Sequence, residues 1–345
     1  MFGGIVHKII KSIICKFNID CKFGIMIRIG VVGCGHLGGI HIKLLNASKN
    51  FDLIGFFDND DKRATEIRQQ YNIRRFEDIN ELSDQINAVV IATPTTSHYS
   101  LAKFFLQQKK HVFIEKPITS TIQEAKELTL LADKFGLIGQ VGHVERFNSA
   151  FSNVKKIINP MFIEAHRLSH YPERGTDVSV VLDLMIHDID IILSVIDSPI
   201  KKVNANGTKV ISDSPDIVNA RIEFENGCVA NLTASRISLK KMRKMRIFQP
   251  DSYISINFDE GKSEQVKIVD YDRKNKYSLT LRNSEGILKE IRIINYDKKD
   301  TNAIEEEHNN FFNSIKNKTK PEVCFNSGLE ALKVAFLILN DMKND

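Results

Sequence analysis

From residue 27 onward, short apolar runs rich in β-branched residues alternate with longer stretches whose apolar positions recur every three or four residues. That pattern encodes parallel strands joined by crossover helices, because a strand covered on both faces is apolar throughout, whereas a covering helix is apolar along one stripe. Strands are expected at 27–33, 53–58, 88–93, 111–115 and 137–141, and helices at 40–45, 62–71, 99–107 and 122–135. Beyond about residue 145 the pattern changes. Strand-like runs at 161–169, 203–210, 217–224, 229–234, 245–249, 252–258 and 265–269 follow one another across tight turns, with Glu225-Asn226-Gly227 as a hairpin signal. One long helix at about 178–196 interrupts them, and helices near 303–315 and 327–342 close the chain. The expected fold is α/β: a doubly wound parallel sheet over 26–145, then an α+β unit with a mostly antiparallel open sheet over 146–345, its last helix packing back on the first unit.

The first 25 residues stand apart. Ile5, Ile9, Ile10, Ile13 and Ile14 form an apolar stripe, but Lys8, Lys11 and Lys16 interrupt it and no cleavage site of small residues follows. With Met26 directly before the first strand, residues 1–25 are expected to be an extension or an upstream mis-assigned start.

Composition narrows the function classes. With 345 residues, 42% hydrophobic and 26% charged, the chain is long enough for two cores of soluble, globular type. A formal charge of +5, without a basic block interleaved with aromatics, gives no reason to expect nucleic acid. Cys15, Cys21, Cys34, Cys228 and Cys324 are scattered, without metal-ligand spacing, so neither a metal site nor disulfides are expected. Reduced thiols suit a cytoplasmic protein. No apolar run approaches the roughly 20 residues of a membrane helix, so stable membrane insertion is not expected.

The chemistry begins at Gly33-Cys34-Gly35-His36-Leu37-Gly38, which follows the first strand and opens the first helix. The first glycine permits the turn, the second lets the main chain approach a pyrophosphate and the third lets helix and strand pack closely. Asp58 ends the second strand, at the spacing of the acid that binds an adenosine ribose. A carboxylate there repels a 2′-phosphate, and Asn59, Asp60 and Asp61 follow it. A Rossmann unit preferring NAD to NADP is therefore expected, although Arg63 lies close by.

Ala92-Thr93-Pro94 with His98, then Glu115-Lys116-Pro117 after the next strand, resemble the signatures of the glucose-fructose oxidoreductase, inositol dehydrogenase and rhizopine-catabolism (Gfo/Idh/MocA) family, and the order of elements is similar from Met26 to the C-terminus. The resemblance implies that Thr93, Pro94, His98, Glu115 and Lys116 surround the cofactor. It also implies a homodimer or homotetramer built through the C-terminal sheet. Independently of it, Lys116 follows the apolar run Val112-Phe113-Ile114 and precedes a proline. It thus sits at the carboxyl end of a central strand, where doubly wound sheets bind ligands.

The long helix carries Asp183, His187, Asp188 and Asp190 in an otherwise apolar run, with 183, 187 and 190 on one helical face. Buried carboxylate and imidazole groups need each other or a ligand. The family's D-x-x-x-H pair is similar, which implies His187 as acid/base, Lys116 as electrostatic partner and Asp183 as the group that orients His187 or holds a hydroxyl. Glu145 and Arg146, in Gly142-His143-Val144-Glu145-Arg146-Phe147-Asn148, are candidates for the substrate cleft, with an interdomain ion pair as the equal alternative. Arg167, His170 and Arg174 form a cluster suited to phosphate, or else solvated surface charge. Lys240, Lys241, Arg243 and Lys244 are read as an exposed lead-in to a strand.

The activity implied is NAD-dependent oxidation of a sugar CH–OH group, closest to the branch that oxidises the 3-hydroxyl of UDP-N-acetylglucosamine to a 3-ketosugar. An inositol, polyol or other free-sugar dehydrogenase and a biliverdin-reductase-like enzyme remain alternatives. A non-catalytic NAD-sensing regulator, which has no need of Lys116, Asp183 and His187, is the alternative from another class.

Overall fold

The computed structural model describes residues 26–171, 178–272 and 279–343. The segment 1–25 and Arg174 lie outside them. The first sheet comprises β1 (Ile27–Val32), β2 (Phe51–Phe57), β3 (Ala88–Ile91), β4 (His111–Glu115) and β5 (Gly139–Gly142), in the order β2-β1-β3-β4-β5. All four pairings are parallel. Every residue of β3 is buried, as expected of a strand covered on both faces. The connecting helices are α1 (His36–Asn46), α2 (Asp61–Tyr71), α3 (Ile79–Gln85), α4 (Thr95–Gln107) and α5 (Ile122–Phe135). Their ends are written locally. Asp60 caps α2, while Thr121 and Glu124 form a capping box on α5, which Gly136 terminates in the left-handed region at φ 64°. The strand order reverses direction between β1 and β3, and that switch point opens a crevice at the strands' carboxyl ends.

A junction follows: a 3₁₀ turn at Val144–Phe147, the short helix α6 (Ser149–Ser152) and a second 3₁₀ turn at Lys155–Ile157. The second sheet holds β6 (Phe162–Leu168), β7 (Ile200–Thr208), β8 (Ile217–Phe224), β9 (Val229–Ser235), β10 (Met242–Gln249), β11 (Ser252–Asn257), β12 (Lys262–Asp270), β13 (Leu279–Arg282) and β14 (Leu288–Tyr296). The order is β13-β14-β12-β11-β10-β6-β9-β8-β7. Its pairings are antiparallel except β6 with β9. One face carries Ala165, Leu232, Met245, Ile247 and Ile254 into a core shared with α7 (Ile186–Val195) and α9 (Phe325–Asp341); between them in sequence runs α8 (Ala303–Asn317). Alternate residues such as Asn219, Arg221, Lys244 and Arg246 stand exposed on the other face.

Besides the short helices α3 and α6, which no expected element covers, two features depart from the pattern read off the sequence. The hairpin β13–β14 was not anticipated; it lies at the sheet edge with Glu290 the one buried residue of β14, so little burial imposes an apolar alternation. The long helix does not run unbroken from 178: a π-helical turn at Val181–Met185 precedes α7. The closing helix α9 packs on α5 and β5 as well as on α7 and β7. It fits closely, since a Cβ at Gly328 would lie 2.7 Å from the Val141 side chain.

Candidate active site

The crevice between β1 and β3 contains a cavity of about 500 Å³ lined by Gly33, Gly35, Asp58, Asn59, Thr93 and Pro94, among others. Gly33 has φ +89°, and a Cβ on it would lie 2.7 Å from the Ala92 carbonyl oxygen. At Gly38 a Cβ would fall 2.0 Å from the Gly33 oxygen, whereas at Gly35 it would meet nothing within 4 Å. Two glycines are thus demanded by the fold, and the space at the third is left for a ligand. No side chain caps α1 at Gly35, so its first-turn N–H groups stay available to a pyrophosphate. Asp58 is fixed at the rim: its Oδ2 accepts from the Cys34 N–H at 2.6 Å and its Oδ1 from the Asp60 N–H at 2.8 Å. Burial and the Asp58 carboxylate push the Cys34 thiol up to about 12, so it adds no negative charge beside a pyrophosphate. Arg63 donates to the Cys34 carbonyl at 3.1 Å and pairs with Glu66. The donor set and the open cradle fit NAD.

A second cavity, of about 280 Å³, lies under the π-turn and α7. Leu37, Glu115, Lys116, Asp183 and His187 line it, together with Glu145, Arg167, Lys241 and Arg243. Lys116, directly after β4, donates from Nζ to the Asp183 main-chain oxygen at 2.8 Å and to Asp183 Oδ1 at 2.9 Å. An ammonium has three donors, so one N–H of Lys116 is left over. The π-turn supplies both acceptors, the placement that makes such bulges recur at functional sites. One turn on, His187 also lines the cavity, with Nδ1 buried and without a hydrogen-bond partner. Burial, reinforced by the positive charges of Lys116 and Arg167, holds the imidazole well below its usual pKa. It is therefore a neutral base at pH 7.

The remaining charged candidates hold one another. Arg146 is bidentate to Asp190 at 2.6 and 2.9 Å, both groups buried, and Arg146 does not line the cavity. Asp190, placed by sequence on the face of Asp183 and His187, is instead held at the junction by Arg146 and does not line the cavity. Arg167 donates to both oxygens of Asp188, at 3.0 and 2.9 Å, and to Glu145 at 2.8 Å. Burial alone would favour its neutral form, but the Asp188 and Glu145 carboxylates outweigh it and raise its pKa. Arg167 and Glu145 therefore shape the cavity wall with most of their hydrogen bonds committed. His98 is buried, its ring nitrogens 2.9 Å from the carbonyls of Pro117 and Thr93; it ties two site loops together and lines neither cavity. His36, at the start of α1, lines neither.

His41, His143 and His308 were not assigned a role from the sequence. Glu115 Oε1 accepts from His41 Nε2 at 2.8 Å, and His41 Nδ1 lies 2.8 Å from His308 Nε2, which links β4, α1 and α8 beneath the site. Gly142 makes room for that carboxylate, since a Cβ there would lie 2.9 Å from it. His143 is buried beside His187, ring centroids 6.2 Å apart, with both nitrogens unpartnered. Lys241 and Arg243, read from the sequence as part of an exposed strand lead-in, instead stand in the cavity wall, and for Arg243 strand parity was the available signal. Met245 and Ile247 point into the core, so Arg243 lies on that same face, with Lys241 just before the strand, while Lys244 and Arg246 face out.

Comparison with known proteins gives the family. Residues 27–143 match the family described as oxidoreductase family, NAD-binding Rossmann fold, and residues 136–262 match the GFO/IDH/MocA C-terminal domain. The UDP-N-acetylglucosamine 3-dehydrogenase of Acidithiobacillus ferrooxidans is 36% identical over 236 residues, which is 68% of this chain and 75% of that protein. The chain belongs to the Gfo/Idh/MocA family. It is an NAD-dependent oxidoreductase that acts on a sugar CH–OH group. The solved structure of the same Acidithiobacillus enzyme superposes with a TM-score of 0.83 and 30% identity, covering 93% of this chain and 99% of that one. The NAD-dependent scyllo-inositol 2-dehydrogenase of Bacillus subtilis is 27% identical, over 61% of this chain and 68% of that protein. An apo scyllo-inositol dehydrogenase from Lactobacillus casei, at 23% identity and a TM-score of 0.74 over 93% and 97% of the two chains, shows the shared fold. Among the described residues no helix is long and apolar enough to cross a membrane.

Proposed function

We propose that the protein oxidises the 3-hydroxyl of UDP-N-acetylglucosamine to the 3-ketosugar, with Lys116, Asp183 and His187 at the reacting centre. The observation that carries the choice of substrate is the likeness to the Acidithiobacillus UDP-N-acetylglucosamine 3-dehydrogenase, in sequence over two thirds of the chain and in structure over nearly all of it.

NAD+, when bound in the cradle, supplies the hydride acceptor. His187 takes the hydroxyl proton on Nε2, the nitrogen not locked in the interior, while the adjacent C–H bond gives up its hydrogen with the electron pair. Lys116 directs its remaining N–H at the substrate oxygen and stabilises the negative charge that develops there. Asp183 fixes the ammonium by two contacts. In a small cavity walled by buried ion pairs, water is limited and the charge of Lys116 acts at close range.

Purified protein with NAD+ should form NADH, followed at its absorbance, when given UDP-N-acetylglucosamine but not free N-acetylglucosamine or scyllo-inositol. An aminotransferase added to draw off the ketone will extend the reaction. Ready turnover of inositol without turnover of the nucleotide sugar would overturn the assignment.

A further inference from the structure

The substrate cavity is small, and its charges are unequally committed. At about 280 Å³ it lies at the low end of small-molecule sites and holds a sugar rather than a whole nucleotide sugar. Any phosphate carried by the sugar must therefore lie toward the cavity's edge. Of the cations in the wall, Lys116 is tied to Asp183 and Arg167 to Asp188 and Glu145. Two are not tied in this way. Arg243, directly across from Arg167 in the β10–β6 register, approaches Glu145 at 3.7 Å and Asp259 at 3.6 Å, both beyond hydrogen-bonding distance, and is half exposed. Lys241 makes no ion pair among the described residues. Arg243 is also shared with a neighbouring cavity of about 360 Å³, whose lining includes Lys298 and Thr301, and the two cavities have Val144, Glu145 and Ile304 in common. A ligand leaving the first cavity for the second passes Arg243.

We infer that Lys241 and Arg243 form a phosphate-binding pair at the mouth of the sugar cavity, which selects substrates whose sugar carries a phosphate or diphosphate ester. The inference rests on the nucleotide-sugar reading for the diphosphate, and extends it by naming the residues that recognise the charge. A guanidinium presents paired donors to phosphate oxygens, and a lysine one compact charge. Strand alternation makes the assignment selective, since Lys244, one residue further along β10, points to the opposite face of the sheet.

Binding titrations on the NADH-loaded protein, with UDP-N-acetylglucosamine and with glucose 6-phosphate as probes, test it. For the phosphorylated sugar that the wild type binds, Lys241→Ala and Arg243→Gln should each weaken binding roughly tenfold, the loss of one charge-assisted hydrogen bond, with the loss shrinking at high salt. Lys244→Ala should match wild type, and NADH affinity should be unchanged in all three. Equal binding of UDP-N-acetylglucosamine by all variants would overturn the cation pair and leave the nucleotide-sugar reading standing. Binding of glucose 6-phosphate alone, lost in the two variants, would overturn that reading and support the pair. An equal loss in Lys244→Ala, or no binding of either probe by wild type, would overturn the pair.

Discussion

The dinucleotide cradle between β1 and β3 is made chiefly of main chain, whereas the cleft under α7 is made of charged side chains that hold one another. In the cradle, Gly33 and Gly38 let strand and helix close together, Gly35 leaves a gap, and Asp58 is pinned by two backbone N–H groups. In the cleft, Arg167, Glu145 and Asp188 form one buried group, Arg146 and Asp190 a second beside it, and Lys116 with Asp183 a third that reaches the cavity. A site for a common cofactor needs shape and backbone dipoles, which many side chains tolerate. A site for one hydroxyl needs a base kept neutral and a cation kept in place, and both depend on the surrounding charges. The two regions should therefore fail differently when single residues are changed.

The largest effect is expected where a buried charge loses its partner. Arg146→Ala leaves the Asp190 carboxylate buried without its partner, and a broken buried pair costs about 3–5 kcal/mol of stability. Urea unfolding of the two proteins measures it directly. A loss of under about 1 kcal/mol, the range of surface pairs, would show that water reaches Asp190 and that the pair is not part of the scaffold.

These same pairings mark the limit of what the sequence made legible. The glycine motif, Asp58, Glu115-Lys116-Pro117 and the Asp183/His187 spacing are contiguous signals whose meaning is local, and the parallel order of the first sheet follows from its alternating strands and helices. The choice of partners among Arg146, Arg167, Glu145, Asp188 and Asp190 is not local, since it is made between the junction, β6 and α7 only after they pack. The π-turn at Val181–Met185 was equally hidden, because a single extra residue in a turn leaves an apolar run unchanged while it shifts the register of Asp183 against the helix that follows. Lys241 and Arg243 were readable in principle. Extending the alternation of Met245 and Ile247 backward places Arg243 on the inner face with Lys241 just ahead of the strand, a step that reading these residues as an exposed strand lead-in conceals.

The next effect in size concerns the reacting centre. Lys116→Met and His187→Ala should each lower kcat by roughly 10² or more, the range of general base and oxyanion-type contributions. The double variant should be little worse than the poorer single one, because both act on one proton transfer. NAD affinity should be unchanged in His187→Ala, since the imidazole lies in the cleft and outside the cradle. The pH profile separates the two roles. His187 has its pKa lowered by burial first and by the Lys116 charge next. Wild-type kcat/KM should thus hold level as pH falls through 6.5, the ordinary histidine value, and drop only at lower pH, when the base protonates. Lys116→Met removes one positive neighbour, so its acid limb should move upward in pH. An acid limb at the same pH in both proteins would show that the lysine does not act on the imidazole.

The smallest effect is expected in the cradle, at Asp58. Its carboxylate is already satisfied twice by main chain and retains further lone pairs for the two ribose hydroxyls of NAD, while its charge opposes a 2′-phosphate. Asp58→Ala removes the acceptor and the repulsion together. NAD should bind roughly tenfold more weakly, the value of about one hydrogen bond to a charged group, and NADP should bind no more weakly than to wild type, so the preference narrows. Arg63 decides how far. Its guanidinium lines the same cavity and is held by the Cys34 carbonyl and Glu66, so it is positioned near the rim but partly committed. Titration of both cofactors against wild type, Asp58→Ala and the double variant Asp58→Ala/Arg63→Ala separates the contributions. If Arg63 attracts the 2′-phosphate once Asp58 is gone, NADP binding should weaken again in the double variant while NAD binding stays where Asp58→Ala left it. Equal affinities for NAD and NADP in the wild type would show that the carboxylate, spent on the Cys34 and Asp60 amides, sets only the loop and not the choice of cofactor.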